Sequence, residues 1–558
     1  MEHASSKPDP RRWLALVVLL IAGFMDLLDV TIVNVAIPSM LRNMHATYAQ
    51  IEWVIAGYVL GFAALLITGG RLGDLYGRKR VFLVGVAGFT FASALCGFAA
   101  DPAMLIGSRL FQGAMAGLMV PQVLATLHAS FPADERGRAL GAFGAVLGSA
   151  SVAGLILGGV LVQWNLFGLQ WRPIFLINLP VGLAALVAGW FVVRDSRSSA
   201  ATRLDPIGAL FAIAGVVMLV YPLTEGRSLG WPNWTFVLMA GGVALLGVFV
   251  GYEAWCSRAI GSPLVFLSLF RIRAFSSGVV AWAIFWIALG GFFFVWTLYM
   301  QAGLGWSPLR AGLTATPFAV GAAIGSGLSV QILARRFGRR VLEAGALLNA
   351  AGFAWYSWVA VHYGPQIASW RMTTPLFVTG IGFGLVVAPT VDLIITDVPV
   401  RHAGSASGLL TTIQQVGVAL GIALAGVVFF TQLEHNSDRG VDAVTPTVYR
   451  QLAAAHIPGA YQDVIVDGFR VCLRDRSAAT DPTHIPASCR PRPNMPKTVQ
   501  DILTRAGLQA GAHNFVGSFS HTLWYGVAVM IAVLLSVFGL PHRLRPKELA
   551  DAPTAEVI

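Results

Sequence analysis

The sequence predicts an all-α polytopic membrane protein of fourteen apolar spans, arranged as two six-span halves with two further spans between them. Three observations predict this. The 558 residues are 56% hydrophobic and only 12% charged, against about 25% charged in soluble domains. Apolar runs of about 20 residues, the length that crosses a bilayer, recur along nearly the whole chain. A basic, glycine-containing turn follows the second run, Gly70-Arg71-Leu72-Gly73-Asp74-Leu75-Tyr76-Gly77-Arg78-Lys79-Arg80, and a degraded copy follows the tenth, Arg335-Arg336-Phe337-Gly338-Arg339-Arg340. The second turn at the corresponding place marks an internal repeat.

The spans fall near 14–36, 52–70, 81–100, 103–127, 139–162, 173–193, 207–223, 234–254, 275–299, 311–334, 341–361, 372–396, 404–430 and 521–541. The chain then divides into an N-terminal tail, 1–13; a first six-helix bundle, 14–195; a linker and the inserted pair, 196–273; the first five helices of a second bundle, 274–430; a long polar loop, 431–520; the last helix, 521–541; and a tail, 542–558. Alternate connections are strongly asymmetric in charge. With the N-terminus inside, the cytoplasmic segments hold 23 Lys and Arg and the short outer loops five, Arg42, Arg172, Arg227, Arg310 and Arg371. The positive-inside rule therefore predicts cytoplasmic termini and an outer loop at 431–520 in a plasma-membrane protein. The polar start, Met1 to Arg12, and the long first run predict no cleavable signal peptide.

The net charge of +11 does not point to nucleic acid, because the cations punctuate the spans rather than form a face or an arm. Cys96 and Cys256 stand alone as small apolar residues. Cys472 and Cys489 share the long loop, and in an oxidising compartment they are disulfide candidates. No cysteine or histidine spacing matches a metal site, and no cofactor motif is present. Neither H-E-x-x-H, G-x-S-x-G nor a phosphate loop occurs, so an enzyme is not expected.

Within the basic turn, three glycines allow close backbone approach and Asp74 is the lone acid. It can cap a helix N-terminus or pair with Arg, a contact that two conformations could make and break. Gly70, Asp74, Gly77, Arg78 and Arg80 are the candidate latch. The first span carries Asp26 and Asp29, each costing about 2.5–3.5 kcal/mol on insertion scales. At i and i+3 they share a face, which predicts that both look into a wet cavity, where double ionisation is disfavoured and one acid takes a proton readily. A structural polar pair is the other reading. Arg109 in the fourth span is the one Lys or Arg inside a run. It either faces an acid, with Asp29 first, or snorkels to the outer surface. In the fifth span Gly148, Gly154, Gly158 and Gly159 are spaced for close helix packing. Asp392 is a third membrane acid, near the end of span 12. Aromatic residues crowd the ninth span (Trp282, Phe285, Trp286, Phe292, Phe293, Phe294, Trp296), facing either substrate, lipid or core.

Several of these runs resemble one family, the fourteen-span drug/proton antiporters of the major facilitator superfamily (DHA2). The basic turn resembles that superfamily's loop after the second helix. Leu28-Asp29-x-Thr31-Ile32-Val33-Asn34-Val35-Ala36-Ile37-Pro38 resembles the branch's first-helix motif, in which Asp29 holds the acid and Asp26 has no counterpart. Arg109-x-x-Gln112-Gly113 resembles the motif tied there to proton coupling. The fifth span is similar to the exporter signature that ends G-P-x-x-G-G, with Leu155 in the proline position, so a kink there is not implied. Trp171-Arg172-x-Ile174-Phe175-x-Ile177-Asn178-x-Pro180, Leu204-Asp205-x-x-Gly208, Tyr299-x-Gln301 and Gln414-Gln415-x-Gly417 also match. The loop 431–520 lies outside the resemblance.

The resemblance implies a proton-driven exporter of hydrophobic or cationic small molecules. Asp29 and Arg109 would couple protons, with Asp26, outside the motif, a further candidate from its shared helix face; Asn34, Gln112, Trp286, Gln301, Asp392 and Gln414 are the candidates for the substrate cavity. Asp74 would latch onto backbone near Gly404–Ser407. The implied partners are the bilayer, protons and a small-molecule substrate; the loop 431–520, outside the resemblance, could dock a periplasmic adaptor, gate the exit or do neither. Two other readings stay open: a dedicated exporter of an endogenous metabolite, siderophore or lipid, and a receptor or scaffold working through the outer loop.

Overall fold

The computed structural model describes residues 10–196, 205–259, 263–395, 398, 403–481, 485–490 and 495–540. Among them are sixteen long helices: α1 Arg12–Met44, α2 Tyr48–Tyr76, α3 Arg78–Gly97, α4 Pro102–Ser130, α5 Ala133–Trp164, α6 Pro173–Val192, α7 Pro206–Glu225, α8 Asn233–Ala259, α9 Arg273–Leu298, α10 Pro308–Leu328, α11 Arg340–Tyr363, α12 Ser369–Ile395, α13 Ala403–His435, α14 Ser437–Ala454, α15 Gly459–Ala478 and α16 Lys497–Val537. Local sequence sets their starts. Thr47 and Gln50 form a reciprocal capping box at α2, and Asp101, Asp205 and Ser307 cap helices whose first residue is proline. Such caps satisfy the first backbone N–H groups, and proline loses nothing at that position.

Each of the fourteen predicted spans falls on a helix. Twelve helices among the described residues are long and apolar enough to cross a membrane. The fifth and eleventh predicted spans are not among the twelve. Of α5, the segment Ala153–Trp164 is the apolar part described; α11 is 24 residues long but carries Glu343 and Asn349 within its run.

The two halves pack alike. α2 lies along α4, where a Cβ on Gly61 would stand 2.2 Å from the Leu110 carbonyl oxygen and one on Gly113 1.9 Å from that of Tyr58. In the second half α10 lies along α12, with Gly321 against the Phe377 carbonyl and Gly384 against that of Ala322, both at 2.3 Å. Second and fourth helix of each half thus meet backbone to backbone through glycine, the close approach that binds membrane helices where lipid offers no hydrophobic drive. The inserted pair α7 and α8 packs on itself through Gly215 and Gly242 and lies against α2 and α13.

The segment 431–520 is not a loop. α14, α15 and the first turns of α16 form a small helical unit around Val441, Val448, Leu452, Phe469, Leu473, Val499 and Ile502, stapled by a Cys472–Cys489 disulfide. The last helix begins at Lys497, not near 521, and runs 41 residues from this unit into the bundle. At the same end of the molecule the halves touch. Gln301 Nε2 donates to the Val35 carbonyl at 2.9 Å, the Tyr48 and Phe430 rings lie 4.4 Å apart, and a Cβ on Gly159 would stand 2.7 Å from Leu309 Cα.

Candidate functional site: a sealed charge network in the first half

Apolar helices α1, α3, α4 and α6 bring five polar side chains to one point. Asp29 is wholly buried and Arg109 is 1% exposed, so Arg109 does not snorkel to either surface. Its Nη1 donates to Asp29 Oδ2 and, at 2.7 Å, to Gln112 Oε1. Its Nε donates to the Val54 carbonyl at 3.2 Å. Asp29 Oδ1 accepts from Gln112 Nε2 at 3.0 Å and from Asn178 Nδ2 at 2.9 Å. Both amides also donate to Ser93 Oγ, each at 2.9 Å. The Asp29 carboxylate therefore receives three donors, charge-assisted hydrogen bonds that supply what water would otherwise provide.

Asp26 is held differently. Tyr58 donates its hydroxyl to Asp26 Oδ1 at 2.5 Å, and the ring of Tyr58 lies 4.2 Å from the Arg109 guanidinium. Phe175 flanks that guanidinium from 5.5 Å. One tyrosine thus bridges the two acids, touching one through its hydroxyl and the cation of the other through its face. The expectation that both acids look into a wet cavity is corrected: each is covered, because Arg109, Gln112, Asn178 and Tyr58 occupy the space that water would fill. Gln112 likewise belongs to this network and not to a cavity wall; it is fully buried.

α5 presses on the same helix. A Cβ on Gly154 would stand 1.9 Å from Thr31 Oγ1, and one on Gly158 2.9 Å from Ile32 Cγ1. Gly159, on the neighbouring face, meets α10 of the other half at Leu309. The helix with the glycine signature therefore lies between the Asp29 helix and the second half. Leu155 brings its carbonyl oxygen to 2.3 Å from where a Gly312 Cβ would be. The surroundings of Gly148 lie outside the described residues.

The basic turn is tied to the end of α6. Gly77 has φ +108°, and a Cβ there would stand 2.4 Å from an Asp195 carboxylate oxygen. The Arg78 N–H donates to the Ser196 carbonyl at 3.0 Å. Asp74 accepts from Arg78 at 2.9 Å, and Arg78 Nη1 also donates to the Ala125 carbonyl at 3.0 Å. Arg80 lies 4.0 Å from Asp195. Gly70 makes only an ordinary contact, with Pro121. The expected Asp74 partners at Gly404–Ser407 include side chains outside the described residues.

A family model described as the Major Facilitator Superfamily matches residues 19–422. The chain belongs to this superfamily. Among curated transporters of it, the "Probable actinorhodin transporter" of Streptomyces coelicolor is 39% identical, the match covering 98% of this chain and 93% of the relative. The "Tetracenomycin C resistance and export protein" of Streptomyces glaucescens is 34% identical over 80% of this chain and 81% of its own. A crystal structure of a bacterial homologue of the human lysosomal transporter Spinster, inward-facing and occupied, aligns at a TM-score of 0.58 over 95% of this chain and 97% of its own. At 14% identity that likeness concerns the fold alone.

The remaining candidate residues of this superfamily member are dispersed. Asn34 is half-buried and donates to Val30 in its own helix at 3.2 Å. Gln301 bridges to Val35 in a π-helical turn at the end of α9. Gln414 is half-buried in α13; the Asp392 side chain lies outside the described residues. Trp286 is half-buried in an aromatic cluster with Phe383 at 5.9 Å and Phe285 at 5.9 Å, and its buried Nε1 has no acceptor among the described residues. The sequence reading missed Ser93, Tyr58, Asn178 and Asp195. Asn178 was quotable inside a motif; Tyr58 and Ser93 are single polar residues in apolar runs and carry no signal of their own.

Proposed function

We propose that this transporter exports small organic molecules, of the antibiotic kind for which its relatives are named, in exchange for protons. The observation that carries the reading is the buried Asp29–Arg109 pair. Three donors from α4 and α6 converge on that carboxylate, and a proton arriving at Asp29 would release Arg109 and so disturb α1, α4 and α6 together. α5, packed on α1 by Gly154 and Gly158 and on α10 by Gly159, supplies a path from that disturbance to the interface between halves. Substrate would enter between the halves from the cytoplasm or inner leaflet and meet the Trp286 cluster, whose free indole N–H suits an acceptor on an aromatic molecule. The basic turn would act as the latch, both termini being cytoplasmic.

A dedicated exporter of one endogenous metabolite is the second reading. It is favoured by the 39% match to one product-named transporter, which extends over 98% of this chain and so through 431–520. Everted vesicles with an imposed inside-acid gradient separate the two. Gradient-driven uptake of both ethidium and puromycin, lost in Asp29→Asn, supports multidrug antiport. Uptake of neither supports a dedicated exporter, and uptake unchanged in Asp29→Asn removes Asp29 from the coupling.

A further inference from the structure

Outside the Asp29 network, two more acids are buried together where the inserted pair joins the first half. Asp205 caps the start of α7 and is 6% exposed; Glu253, near the end of α8, is fully buried. Their side chains meet. Each has one oxygen satisfied: Asp205 Oδ1 accepts from the Gly208 N–H at 2.9 Å and from the Tyr252 hydroxyl at 3.1 Å, and Glu253 Oε2 accepts from the Val265 N–H at 2.9 Å. Among the described residues, the other two oxygens, Asp205 Oδ2 and Glu253 Oε1, have no donor. These are the two that converge: both face the α-carbon of Gly208, 2.6 Å and 2.4 Å from where a Cβ would stand.

Two buried carboxylates that present bare oxygens to one another repel and leave two acceptors unsatisfied. A single proton between them removes both costs. It turns one group into a donor for the other and leaves the pair with one negative charge. A counter-charge for that one stands nearby. Arg71, on α2 in the basic turn, acts electrostatically on both acids and donates to the Pro263 carbonyl in the segment that follows α8. Cys256 and Tyr252 are further titratable groups at this place. We propose that Asp205 and Glu253 form a second proton-binding site, holding one shared proton, and that Arg71 links its charge to the basic turn. Taking up a further proton would neutralise the pair and release Arg71. Losing the shared one would set two charges against each other and loosen α7 from α8.

Infrared spectra of the full-length protein in lipid nanodiscs, in H2O and D2O across a pH series, test this directly. Glu253→Gln should remove one protonated-carboxyl C=O band that shifts in D2O, because its amide donates to Asp205 and leaves that acid ionised. Asp205→Asn should remove the same band, so the result does not depend on one variant folding. The double variant should lose that single band and no more. Arg71→Gln, which removes a positive charge, should let the band persist to higher pH. A band kept in both single variants overturns the shared proton, as does loss of two bands in the double variant. A titration midpoint unmoved by Arg71→Gln overturns the link to the turn.

Discussion

Gly154 and Thr31 meet so closely that a Cβ on the glycine would stand 1.9 Å from the threonine Oγ1, two residues along α1 from Asp29. The contact seats the glycine-rich helix on the helix that carries the buried acid. Thr31 Oγ1 is itself engaged, donating to the Leu27 carbonyl at 3.0 Å, so it has no free direction in which to yield. Gly154→Ala should therefore destabilise the protein by about 1–3 kcal/mol, the usual cost of overpacking, and depress transport. Thr31→Ala in the same chain should recover most of the loss. Thermal unfolding in detergent and vesicle uptake of the single and double variants measure this; a double variant no better than Gly154→Ala would locate the clash elsewhere.

Arg109→Met should cost about 3–5 kcal/mol, because it strands the Asp29 carboxylate without its cation. Asp29→Leu with Arg109→Met should restore stability, since both charges are gone, and still fail to transport. Denaturation midpoints and uptake of the three proteins separate the structural from the coupling role. Transport by the double variant would show that the pair is only structural.

Gly77→Ala meets two obstacles, a left-handed backbone and the Asp195 carboxylate. A strained residue of this kind costs about 1–3 kcal/mol. Adding Asp195→Ala should relieve the contact and leave the backbone strain, so recovery should be partial. Full recovery in the double variant, read as melting temperature, would rule out the backbone contribution.

Trp286→Phe keeps an aromatic ring and removes an N–H that has no acceptor among the described residues. If that group meets substrate, the half-saturating concentration of an acceptor-bearing substrate should rise by roughly 2–13-fold, the worth of one net hydrogen bond of about 0.5–1.5 kcal/mol, with maximal rate little changed. Concentration-dependent uptake in vesicles reads this. An unchanged half-saturation with a lowered rate would place Trp286 in packing.

Much of this architecture was legible because lipid permits few exceptions. Every apolar run became a helix, and the two charged residues Asp29 and Arg109 stood out in runs that otherwise carry almost no charge. Their neutral partners did not stand out. Gln112, Asn178, Ser93 and Tyr58 become recognisable only when four helices converge, and each alone is an ordinary residue of an apolar span. Gln112 was accordingly expected at a cavity wall, where an uncharged amide is equally at home. The segment 431–520 was misread for the opposite reason. Its polar stretches resemble a loop, while the apolar positions Val499, Ile502, Ala506 and Ala510, which line one face of α16, carry a helical period that a membrane-span count ignores. The tie between Gly77 and Asp195 joins residues far apart in the chain, and no local pattern encodes it.

In the proposed antiport, substrate binding between the halves drives a proton off Asp29. The most direct measurement is proton release from the purified transporter, followed with a pH indicator in weak buffer, on addition of a substrate identified by vesicle uptake. The account predicts release by the wild type and none by Asp29→Asn, with binding of the substrate retained in both. Equal release by Asp29→Asn would contradict it.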